Sequence, residues 1–158
     1  MGHDFNVDEI FQMAEQIERN GAKFYRDAAD SISDESAIQV LLDLAKMEDE
    51  HLILFEYLRS NLSGSDVEIT VFDPAGEAEQ YLRALADMRV FYQREIDTSS
   101  LEEVYKEAII AEKDSIVFYL GMKELVPERL GKDRIDKIIK EEMKHIRLLG
   151  NKLSQLNK

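Results

Sequence analysis

The stretch Met47-Glu48-Asp49-Glu50-His51 returns as Glu141-Glu142-Met143-Lys144-His145, 94 residues further along the chain. Both contain Glu-x-x-His. Three residues is close to one helical turn, so Glu48 and His51 project from one helix face, as do Glu142 and His145. Alone, one such motif is a weak signal and more often a surface pair than a site. Its surroundings change its weight. A lone glutamate stands 30 residues before each motif, Glu18 before Glu48 and Glu112 before Glu142. Seven residues after each lone glutamate comes a tyrosine, Tyr25 and Tyr119, each preceded by a phenylalanine, Phe24 and Phe118. The order Glu-x6-Tyr, then Glu-x-x-His, therefore occurs twice without a gap.

Around these motifs, long stretches lack Pro and Gly and carry apolar residues at spacings of three and four, the helical period. The pattern predicts helices over 7–31, 34–62, 100–126 and 132–156. Asn6 or Asp8 would cap the first, and Ser33 or Asp34 the second. Ser99 with Glu102, or Ser100 with Glu103, gives a capping box for the third. Ser63-Gly64 would end the second helix, and Pro127 and Gly131 separate the last two. A crossover fills 63–99, with a β-like run at 67–72 and a shorter amphipathic helix at 75–95. Each long helix has one core seam. The first reads Phe11, Ala14, Glu18, Gly21, Tyr25, Ala28; the second Leu41, Leu44, Glu48, His51, Phe55. The third reads Tyr105, Ala108, Glu112, Ser115, Tyr119, Met122; the fourth Ile135, Ile138, Glu142, His145, Leu149. Each seam is apolar except in its middle. The fold class expected is all-α: a four-helix bundle with a long crossover carrying an extra short helix, built from two pseudo-symmetric hairpins. The whole chain, 1–158, reads as one domain.

Composition narrows the function. The chain has 158 residues, a net charge of −13, no Cys and no Trp. That charge argues against binding nucleic acid, which needs Lys and Arg against phosphate, and against an anionic membrane surface. No apolar run is long enough to span a membrane, and the first residues lack a signal-peptide plan, so a cytoplasmic protein is expected. Without Cys, disulfides, thiolate catalysis, Cys-ligated zinc, iron–sulfur clusters and a rubredoxin-type iron site are excluded from this chain.

The polar seam residues carry the chemistry. Four carboxylates and two imidazoles suit two first-row ions such as iron or manganese, and their four negative charges would be cancelled by two divalent cations. The candidate ligands are Glu18, Glu48, His51, Glu112, Glu142 and His145. Glu48 and Glu142 are expected to bridge. His51 and His145 would each cap one metal, with Glu18 and Glu112 terminal or chelating. Tyr25 and Tyr119, two turns from the lone glutamates, could donate hydrogen bonds to ligating carboxylates, with a packing role as the rival reading. Gly21 and Ser115 leave room at matching positions. Phe24 and Phe118 read as core, His3 as unrelated, and Glu15 as a surface residue. Without metal, at least one glutamate should have a strongly raised pKa, because charging four carboxylates in an apolar core is costly.

With these residues in place, the sequence resembles the rubrerythrin branch of the ferritin-like superfamily. The resemblance rests on Ile17–Tyr25, Met47–His51, Ala111–Tyr119 and Glu141–His145, and covers essentially the whole chain. It implies a four-helix bundle with a non-haem centre of two iron ions, replaceable by zinc or manganese, in a homodimer or larger homo-oligomer. It also implies an oxidoreductase that reduces hydrogen peroxide or oxygen. Two departures stand out. The fused Cys-rich domain of many relatives is missing, so electrons would come from a separate donor protein. The extra glutamate that peroxide-reducing members carry one turn after the third-helix ligand is here Ser115, which cannot act as a carboxylate switch. The alternative is a protein that binds or stores iron or another metal without peroxidase turnover.

Overall fold

The computed structural model describes residues 6–67, 77, 80–82 and 100–158. Four long helices dominate it: α1 (Val7–Asp30), α2 (Glu35–Ser60), α3 (Leu101–Leu125) and α4 (Lys132–Leu156). Their starts follow from local chemistry. The Asn6 side chain accepts from the Glu9 amide at 2.9 Å while Glu9 Oε2 accepts from the Asn6 amide at 3.1 Å, a reciprocal capping box. Asp34, rather than Ser33, caps α2 by accepting from the Ala37 amide at 2.7 Å. Ser100, rather than Ser99, accepts from the Glu103 amide at 3.2 Å to start α3.

The second helix stops earlier than the sequence pattern predicts. Ser60 Oγ and Asn61 Nδ2 both donate to the Tyr57 carbonyl, at 2.7 and 2.9 Å, and take up an acceptor that the next turn would have used. A one-turn helix, Gly64–Val67, follows, so the head of the β-like run is helical. The rest of that run, 68–72, lies outside the described residues, as do His3 and most of the predicted helix at 75–95. Of that helix, residues 77 and 80–82 are described and helical. There Leu82 is buried, and the Tyr81 hydroxyl donates to the Val117 carbonyl at 3.0 Å.

The helices pair as two hairpins, α1 with α2 and α3 with α4, which meet through α1 and α3. The bundle is all-α among the described residues. Its core is split in two. Phe11, Phe55, Phe118, Met122, Ile135 and Ile138 belong to one apolar cluster, and Leu41, Leu44, Tyr105, Ala108 and Leu149 to the other. Between them, on all four helices, lie the glutamates and histidines of the seams. The acids are thus held in mid-bundle by apolar packing on both sides.

The turn between α3 and α4 depends on Gly131, which caps α4 at φ 109° and ψ 24°. A Cβ there would also lie 2.9 Å from Leu58 Cδ2. Gly131→Ala is therefore expected to destabilise the protein by about 1–3 kcal/mol, from left-handed strain plus crowding. Urea denaturation of the two proteins checks this. An unchanged midpoint would refute it.

Candidate metal centre

Glu18, Glu48, Glu112, Glu142, His51 and His145 are all buried, and Glu18 and Glu142 are fully so. They come from four helices: Glu18 from α1, Glu48 and His51 from α2, Glu112 from α3, Glu142 and His145 from α4. Every seam therefore contributes its polar residues to one centre.

Two overlapping sets of donors result. Glu18, Glu48, His51 and Glu142 offer four ligand atoms within 4.8 Å of one another, and so do Glu48, Glu112, Glu142 and His145. Glu48 and Glu142 belong to both, the arrangement that bridging carboxylates require. The imidazoles turn Nδ1 inward. His145 Nδ1 lies 2.8 Å from Glu142 Oε2, 3.3 Å from Glu48 Oε1 and 3.4 Å from Glu112 Oε1. His51 Nδ1 lies 3.2 Å from Glu142 Oε1 and 3.5 Å from Glu18 Oε2. The two rings stack with centroids 5.9 Å apart.

These separations are short, yet both Nδ1 atoms, Glu18 Oε2, Glu48 Oε1 and both Glu142 oxygens lack a partner with hydrogen-bond alignment. Buried polar atoms are rarely left so. Six such atoms facing one centre fit cations that would take their lone pairs, and hard carboxylates with imidazole suit first-row divalent ions. The residues present thus fit a pair of metal ions.

The tyrosines define the next layer. The Tyr25 hydroxyl donates to Glu112, and the Tyr119 hydroxyl donates to Glu18. Each tyrosine reaches the lone glutamate of the opposite half, so α1 and α3 are tied together across the site. Burial and the neighbouring carboxylates push both phenols well above their ordinary range, which keeps them protonated donors. Phe24 and Phe118 stand edge-on to Tyr25 and Tyr119, with interplanar angles of 88° and 81°. Both are packing residues, as the sequence suggests. Gly21 leaves room for Glu48, since a Cβ there would lie 3.2 Å from Glu48 Oε2 and crowd that carboxylate. Ser115 donates its hydroxyl to the Ala111 carbonyl at 3.1 Å.

One expectation fails. Glu15 is buried at 2 % exposure, not on the surface. Arg59 of α2 reaches one oxygen with Nε at 2.7 Å and Arg19 lies 3.7 Å from the other, so the carboxylate is paired with arginines rather than joined to the cluster. Two further residues, which the sequence pattern includes without assigning them a role, touch the histidines. Glu141 Oε2 lies 2.8 Å from His51 Nε2, and Met47 Sδ lies 3.1 Å from His145 Nε2. Their one signal is position: each immediately precedes the glutamate of a Glu-x-x-His.

The electrostatics show how the cluster tolerates its acids without metal. Burial raises the Glu48 and Glu112 pKa values well above the ordinary range, reinforced by neighbouring carboxylates. Burial also raises that of Glu18, partly offset by His51. For the histidines, burial opposes protonation, but the surrounding carboxylates outweigh it and push both up to about 12. Glu142, between both imidazoles, is held at about 2 against its own burial. At neutral pH the metal-free cluster therefore holds protons where cations would sit.

The sign of the pH dependence follows. An imidazole in the unfolded chain titrates near 6.5, so between about 6.5 and about 12 the folded state binds more protons. That stabilisation is complete below the unfolded value and is lost as pH rises. The raised Glu48 and Glu112 act in the same direction, whereas the Glu142 contribution is lost only as pH falls from the usual 4.5 through about 2. Metal-free protein is expected to melt at a lower temperature at pH 9 than at pH 7. Metal-loaded protein should show the opposite trend, because binding requires those protons to leave. Thermal melts at the two pH values, with and without metal, check both signs.

Comparison with known proteins agrees with this geometry. No curated protein matches the sequence. Among solved structures, a ferritin-like diiron-carboxylate protein of Thermotoga maritima, so described, superposes with a TM-score of 0.73 at 26 % identity, covering 98 % of each chain. The fold is therefore ferritin-like. The rubrerythrin family model matches residues 9–153, a span that contains all four long seams and both Glu-x-x-His motifs, and the chain accordingly belongs to the rubrerythrin family.

Proposed function

We propose that the protein is a non-haem di-iron carboxylate oxidoreductase that reduces hydrogen peroxide or oxygen with electrons from a separate donor protein. The observation that carries this reading is the pair of donor sets sharing Glu48 and Glu142, buried between two apolar clusters. Glu18, Glu48 and His51 would hold one ion with Glu142. Glu112 and His145 would hold the other with the same two shared carboxylates. Two bound ferrous ions would supply electrons to a small oxidant.

The chain's own residues supply the setting. The apolar clusters above and below exclude water and strengthen every electrostatic interaction inside. Tyr25 and Tyr119 fix the orientation of Glu112 and Glu18 and keep their protons there. Glu48 and Glu142, each facing both sets, would keep two ions close. Protons held by the cluster would be displaced as cations enter. A cytoplasmic location, a homodimeric or larger assembly, and zinc or manganese as substitute metals belong to the same proposal.

A second reading has its own observation. Ser115 directs its hydroxyl to its own helix backbone, so no carboxylate stands at that seam position to exchange with a histidine. This favours metal binding or storage without peroxidase turnover. One experiment separates the two. The chain is loaded anaerobically with two ferrous ions and mixed with peroxide or oxygen in stopped flow. Oxidation that is faster with peroxide than with oxygen, with turnover on adding a reductant, supports the oxidoreductase. Uptake of many irons per chain with mineral formation supports storage. Failure to bind two ions sinks both.

A further inference from the structure

The two halves of the cluster offer the same inner donors, three carboxylates and one imidazole each, with Glu48 and Glu142 common to both. They differ one contact further out. Behind His51, Nε2 meets Glu141 Oε2 at 2.8 Å. Behind His145, Nε2 meets Met47 Sδ at 3.1 Å. Glu141 and Met47 occupy the same position of the 94-residue repeat. The helices keep the pseudo-twofold relation, and at the outer nitrogens of the two imidazoles this pair breaks it.

The difference matters once Nδ1 is given to a cation. The imidazole must then keep its proton on Nε2, and what accepts that proton's hydrogen bond tunes the inner nitrogen. Glu141 is an anion. It accepts a charge-assisted bond, draws the N–H outward, and makes Nδ1 a stronger donor. It also adds negative charge near the ion. The Lys137 ammonium, 3.9 Å from the other Glu141 oxygen and mostly exposed, is placed to weaken this only slightly. Met47 is neutral, and its thioether is a weak acceptor. It gives His145 neither effect.

We infer, on the reading that this cluster holds two metal ions, that Glu141 and Met47 make its halves unequal. The His51 half takes the first and tighter ion, and the His145 half holds the second, more exchangeable one. Glu141 acts as a positioning residue through His51. Changing such an outer partner commonly shifts metal affinity about 10–100-fold, which sets the expected gap between the two loading steps.

The test uses the full chain, stripped of metal and given one equivalent of manganese(II), with anomalous scattering to locate the ion and calorimetry to resolve the two steps. The expected result is a peak in the His51 half and two steps about 10–100-fold apart. Glu141→Gln should weaken the first step by about that factor and bring the two together. The exchanged protein, Met47→Glu with Glu141→Met, should move the first ion to the His145 half, which a merely structural role for either residue would not do. Both side chains are partly exposed, and a melt of the metal-free variants verifies folding; if the exchanged protein does not fold, Glu141→Gln alone decides. Equal occupancy of the halves at one equivalent, or an unchanged first step in Glu141→Gln, overturns the inference while leaving the two-metal reading standing. Failure of either half to take manganese or ferrous iron at any loading overturns that reading, and the inference with it.

Discussion

Replacing Glu142 by Ala is expected to abolish binding of the metal pair, with metal content falling from about two ions per chain to near zero. Glu142 is fully buried and is one of two carboxylates common to both donor sets. Its oxygens face both histidines, at 3.2 Å from His51 Nδ1 and 2.8 Å from His145 Nδ1. Losing it removes a donor from each half and the link between them. It also affects the metal-free protein, where Glu142 is the anion held at about 2 between two protonated imidazoles. Breaking one member out of such a buried charge group costs about 3–5 kcal/mol. Glu142→Gln separates loss of charge from loss of volume, since it keeps the volume and removes the charge. Elemental analysis after loading measures the ions, and urea denaturation of the metal-free proteins measures stability. Two tightly held ions in Glu142→Ala would refute the ligand set.

The second large effect belongs to packing beneath the site. Phe55 is fully buried, with its ring centroid 6.3 Å from Phe11 and 5.4 Å from Tyr119. Phe55→Ala should destabilise the protein by about 3–5 kcal/mol, through lost burial and the cavity left behind. In a chain of this length that lowers Tm on the order of 10 °C. The consequence reaches the centre, because Tyr119 rests on Phe55 and donates to Glu18. With its support removed, the Tyr119 hydroxyl should orient Glu18 less well, and the half of the cluster containing Glu18 should lose affinity more than the other. Phe55→Leu, which keeps most of the volume, should restore most of both. Equal loss from the two halves would show that Phe55 supports the bundle without supporting Tyr119.

Much of the site was legible in the sequence because helical periodicity converts spacing into position. Residues three and four apart share a face, so a glutamate in the middle of an apolar seam must enter the core. The repeat then supplied all six inner residues, and the seven-residue spacing puts the tyrosines two turns along the same faces. Glu15 marks the limit of helical spacing. It lies three residues before Glu18 and next to the seam, and it is buried because Arg59 of the neighbouring helix pairs with one oxygen while Arg19 lies near the other. The early end of α2 shows a different limit. It depends on Ser60 and Asn61 side chains competing for a backbone carbonyl, a local choice that apolar spacing does not register.

Helical spacing in the sequence alone specifies the all-α hairpin repeat, the six inner residues and the division of the seams into apolar ends and a polar middle. All of these depend on which residues share one face of one helix. What depends on two helices at once comes from their packing. It paired Tyr25 with Glu112 and Tyr119 with Glu18 across the halves. It turned both Nδ1 atoms inward, covered Glu15 with Arg59, and set Glu141 behind one histidine and Met47 behind the other. Periodicity fixes the direction of a side chain relative to its own helix axis. Its partner is fixed by the rotation and depth at which neighbouring helices pack.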